Sequence, residues 1–75
     1  MQQFTVLVEK GLDGVDASIP SIRECETWAP TEDEALTSLV ERLAYFLRRE
    51  QGFRHQIDYM RREDGKTWYK LIIRS

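Results

Sequence analysis

At 75 residues the chain is one small domain, and a formal charge of −2 is too small to indicate a nucleic-acid or membrane partner. The single cysteine, Cys25, excludes an internal disulfide, and the single histidine, His55, excludes a Cys/His zinc site. A chain this short buries a modest share of its surface, so regular packing or oligomerisation must supply the rest of its stability, and we favour oligomerisation.

Eight arginines against three lysines, among many mixed charges, are compatible with a thermophilic source. No apolar run is long enough to cross a bilayer. MQQFTVLVEK lacks the basic and apolar regions of a signal peptide. With a lone cysteine, these features predict a cytoplasmic protein.

The first strand is read from Phe4, Val6 and Val8, which alternate with Thr5, Leu7 and Glu9. Leu7 interrupts the polar side, which predicts a central strand covered on both faces. Gly11, Asp13 and Gly14 end it. Val15, Ala17 and Ile19 alternate with Asp16 and Ser18 as a second strand, and Pro20 takes the chain out of the ladder. Residues 22–28 read as a third strand with a poor pattern, suited to an edge or to a face covered by a partner.

A helix then opens at Thr31, with Glu34 three residues on as a capping box. Glu32, Asp33 and Glu34 complement the dipole of its first turn. Leu36, Leu39, Val40, Leu43, Phe46 and Leu47 form the expected apolar stripe, Arg48 and Arg49 the last turn, and Gly52 the stop. Residues 57–62 and 67–74 read as two strands around an Asp64-Gly65 turn. The predicted fold class is α+β, in the order β-β-β-α-β-β, an antiparallel sheet with one helix packed on one face.

Val8-Glu9-Lys10 is followed by Asp13-Gly14, then Ala17, Ile19 and Pro20, then Cys25, Thr27, and Thr31 with Glu34-Ala35. This order resembles the HicB family of antitoxins. In that family a proline ends the second strand, a cysteine lies in the third, and Thr-x-x-Glu-Ala opens the helix. The motif positions here are Gly14, Pro20, Cys25, Thr31, Glu34 and Ala35. The resemblance implies a core related to the double-stranded-RNA-binding fold. It also implies a partner, a small ribonuclease toxin whose active site the antitoxin occludes. Two departures stand out. Glu24 occupies a position usually held by glycine. A hairpin follows Gly52 where many members carry a DNA-binding segment, so DNA binding is not expected and the chain resembles a stand-alone core.

No residue set suggests catalysis, and no cofactor or metal is expected. Cys25 reads as a buried thiol on a strand and His55 as an exposed loop residue; the alternatives are a reactive thiol and a general base or metal ligand. Glu24 and Glu26 should point the same way, as a solvated face or as charges that meet arginines of a partner; the alternative is acid–base or metal chemistry by paired carboxylates. Trp28, Tyr45, Arg48, Arg49, Trp68 and Tyr69 are the candidate partner-interface residues, because aromatics with arginines nearby anchor protein contacts; core packing explains each aromatic equally well. Three functions follow as expectations: an antitoxin-type binding protein, an orphan homodimer or homotetramer, and a small RNA-binding module. The last would use the basic cluster Arg48, Arg49, Arg54 and His55 with the pair Arg61 and Arg62, and stack bases on Phe53, Tyr59, Trp68 and Tyr69.

Overall fold

A computed structural model describes residues 2–48 and 54–74. The elements are β1 (Gln2–Lys10), β2 (Val15–Ser18), β3 (Glu26–Ala29), α1 (Glu32–Phe46), β4 (Arg54–Glu63) and β5 (Lys66–Arg74). The strands form one antiparallel sheet in the order β3-β2-β1-β5-β4. The class and element order expected from periodicity therefore hold. No described helix is long and apolar enough to cross a membrane.

β1 occupies the centre because both its edges are paired, to β2 and to β5. Its Val6 and Val8 enter the core with Val15 and Ala17 of β2 and Leu71 and Ile73 of β5. The helix packs over β2 and β3 and closes this side with Ala35, Leu39 and Leu43. Each large aliphatic side chain fully buried here contributes on the order of 1.5–3 kcal/mol. Leu7 points to the other side, where no helix of the described residues lies, and is only partly buried. A centre position thus required pairing on both edges, not cover on both faces.

The helix begins as its sequence dictates. Thr31 is extended (φ −126°, ψ 159°) and its hydroxyl accepts from the Glu34 amide at 3.3 Å, satisfying one of the unpaired first-turn donors. The buried line is Ala35-Leu39-Leu43, at i, i+4 and i+8. Leu36, Val40 and Leu47 flank it, whereas Phe46, expected in the stripe, is exposed. The small Ala35 lets the helix sit close to β3, where the Thr27 hydroxyl donates to its carbonyl at 3.1 Å.

The helix ends earlier than predicted. Leu47 is the C-cap, and Arg48 follows at φ 57° with its amide donating to the Tyr45 carbonyl at 3.0 Å. A left-handed residue just past the cap turns the chain away from the helix axis. Arg48 therefore lies outside the last turn, which carries no basic residue. Arg49, Gly52 and Phe53 lie outside the described residues.

The third strand is also shorter than predicted. Residues 19–25 close a loop through main-chain bonds from Ile19 to Cys25, Ile22 to Ile19 and Cys25 to Ile22. Glu24 stands at φ 68°, a left-handed conformation that no strand accommodates. Glu24 and Glu26 consequently do not share a strand face, and Cys25 lies in this loop, not on the strand. Pro20, which starts the loop, is exposed. β3 lies at the sheet edge, one of the two settings that its mixed pattern suits.

β4 begins three residues before its predicted start, so His55 is a strand residue opposite Ile73. Asp64 (φ 49°) and Gly65 (φ 76°) make the two-residue turn to β5, the left-handed pair that matches strand twist. Between Tyr59 and Arg61 the register slips, and Met60 is the extra residue of a bulge.

Candidate protein-interaction surface

With the helix on one side of the sheet, no other helix among the described residues covers the opposite face. Strand alternation places Leu7 of β1 and Trp68, Lys70 and Ile72 of β5 on it, all partly buried. Leu7 is directly opposite Trp68 on one side and Ser18 on the other. Across the next pair, Arg61 is opposite Trp68, with its guanidinium carbon 5.3 Å from the ring centroid. An arginine stacked over a tryptophan is held by the ring quadrupole and keeps its donors free at the rim. One cross-sheet row thus reads Arg61, Trp68, Leu7, Ser18. Asp58 is opposite Lys70, and Gln56 bonds Asp58 through its amide and Arg74 through its carbonyl.

Trp28 belongs to the same face but at the β3 edge, opposite Asp16 and 53% exposed. Its indole lies over Gly14, where a Cβ would overlap the ring. A methyl at this position would have to displace the Trp28 ring.

Tyr69, next to Trp68 in sequence, faces the helix side instead. Its hydroxyl donates to Glu32 Oε2 at 3.1 Å, and its ring meets that of Tyr59 edge-on at 6.1 Å. Burial, then the bond to Glu32, raise the Tyr69 pKa above its ordinary value. Tyr45 is elsewhere again, on the helix near its C-terminal end, 81% exposed and edge-on to Phe46. It borders a shallow groove between α1 and β3 with Thr27, Ser38 and Arg42. The interface candidates therefore do not form one patch. Trp28 and Trp68 share the open face, Tyr69 lies on the other face, Tyr45 is on the helix and Arg48 lies just beyond it.

Of the basic cluster expected at the helix end, Arg54 and His55 are the first residues of β4, and Arg49 lies outside the described residues. Cys25 is buried, and burial raises its thiol pKa against the opposing effect of Arg42. A protonated, enclosed thiol is a poor nucleophile. Among the described residues, no three His, Cys, Asp or Glu side chains converge as a metal site.

Sequence reasoning noted Arg61 and Trp68 separately but did not pair them. Six residues separate them in the chain, and only the hairpin register together with the bulge at Met60 brings them face to face. Leu7 was read as covered, and Met60 carried no signal. Neither a protein-family model, nor a curated protein, nor a solved structure matches this chain.

Proposed function

We propose that the protein is a binding module of the HicB-like antitoxin type, which holds a small ribonuclease partner and covers its active site without chemistry of its own. The ordered residues from Val8 to Ala35 support this reading, as does the β-β-β-α core they occupy. A relation to the double-stranded-RNA-binding fold belongs to the same proposal. The observation that carries it is the open-face row of Arg61, Trp68 and Leu7. A half-buried tryptophan loses little side-chain entropy on contact, and an arginine stacked on it is already oriented.

The test is co-purification with small basic proteins encoded beside this chain, comparing wild type with Arg61→Glu and Trp68→Ala. Retention of a ribonuclease by wild type and a loss of at least about tenfold in affinity for both variants supports the reading. Failure of every such neighbour to bind, or equal binding by both variants, overturns it.

A further inference from the structure

β4 is the outer strand on its side of the sheet, ten residues long, and only Ile57 among them is partly buried. A long strand with one unpaired edge is a template for another strand. We propose that the occupant is a second copy of this chain, with β4 pairing antiparallel to β4 about a two-fold axis between Tyr59 and Met60. The two sheets then become one continuous sheet.

The distribution of side chains on β4 argues for this occupant. Here Arg54, Asp58, Arg61, Arg62 and Glu63 surround an apolar centre, Tyr59 and Met60, which are 61% and 48% exposed. An apolar centre inside a charged rim is the anatomy of a protein interface.

The strand is also its own electrostatic complement. In an unbroken strand, residues three apart point to opposite faces and cannot oppose each other in a two-fold pair. The bulge changes this. Asp58 is opposite Lys70 and Arg61 is opposite Trp68, and Lys70 and Trp68 are two apart on β5. Asp58 and Arg61 therefore share a face. Pairing about the Tyr59–Met60 midpoint sets Asp58 of each copy against Arg61 of the other, twice by symmetry, and Tyr59 against Met60. Centring on Asp58 instead would set two like charges together, which opposes that register. A two-fold contact of this kind closes on itself and does not propagate.

This pairing shares Arg61 with the ribonuclease surface proposed above, but its test needs only the chain itself. Sedimentation equilibrium across the micromolar range would compare wild type, Asp58→Arg, Arg61→Asp and the double swap, with circular dichroism as the check on folding. A wild-type dimer is expected, weakened at least about tenfold by each single reversal and restored by the double swap. Within one chain Asp58 meets Gln56 and is opposite Lys70, and Arg61 meets Trp68. The swap restores none of these contacts, so recovery would report pairing between copies. A monomeric wild type overturns the proposal. So does a dimer indifferent to the single reversals, or one that the double swap fails to restore.

Discussion

Arg42 of α1 donates through Nε to the main-chain carbonyl of Glu24 at 3.2 Å, and so ties the helix to a loop residue held at φ 68°. The bond crosses 18 positions of sequence and fixes the approach to buried Cys25. The left-handed path needs no glycine here, but it places a Cβ where one is unfavourable.

Glu24→Gly should therefore stabilise the protein, by about 0.5–1 kcal/mol after allowing for the extra freedom of the unfolded chain. For a domain of this size that is a rise in Tm of about 3–6 °C. Glu24→Ala retains the Cβ and should give no such rise. Thermal melts of the two variants check the prediction, and an unchanged or lower Tm for the glycine variant contradicts it.

Tyr69 and Glu32 join β5 to the start of the helix, and the other Glu32 oxygen, Oε1, is buried without a partner among the described residues. Tyr69→Phe should cost about 1–2 kcal/mol, because it leaves the carboxylate less satisfied. The pH dependence follows from the raised Tyr69 pKa. The folded state holds the phenolic proton more tightly than the unfolded state does. Its contribution is complete below the ordinary tyrosine value of about 10 and is lost as pH rises through the folded pKa. Wild type should lose stability above about pH 10 more steeply than Tyr69→Phe. Urea melts at pH 8 through 11, as test conditions on the order of those spanning this titration, would show parallel curves if neither burial nor the bond to Glu32 held the phenolic proton.

Cys25 is 1% exposed, and its thiol resists ionisation. A thiol reagent should label it only through opening of the loop and core, at a rate that rises with urea in parallel with unfolding. Rapid labelling of the folded protein would contradict this burial. Cys25→Ser should destabilise by about 1–3 kcal/mol, since a hydroxyl would replace a weakly polar thiol in an apolar site.

Gly14→Ala should displace the Trp28 indole, with which the added methyl would collide. In a Trp68→Phe background Trp28 is the sole tryptophan. Its emission should then shift to the red, with a loss of about 1 kcal/mol from the vacated contact. Unchanged emission would mean that the ring does not rest on Gly14.

The local chemistry of the chain alone determined much of this fold. Alternation in Phe4–Glu9 and Val15–Ile19, the Thr31 cap, and the Asp64-Gly65 turn each act over a few residues, so they are legible without a partner element. They gave the element order and one helix on an antiparallel sheet. Tertiary structure decided what depends on distant neighbours. Leu7 carries the same apolar signal whether its face is covered or open, and only the position of α1 over β2 and β3 separates the two. Glu24 reads as a strand residue until the loop from Ile19 to Cys25 and the bond from Arg42 hold it left-handed. Trp68 and Tyr69 look like one aromatic pair in sequence, yet the pleat sends them to opposite faces, one to Arg61 and the other to Glu32. The single extra residue at Met60 sets which β4 side chains share a face, and with them the strand's self-complementarity. Such a slip arises from pairing with β5, an interaction no local pattern contains.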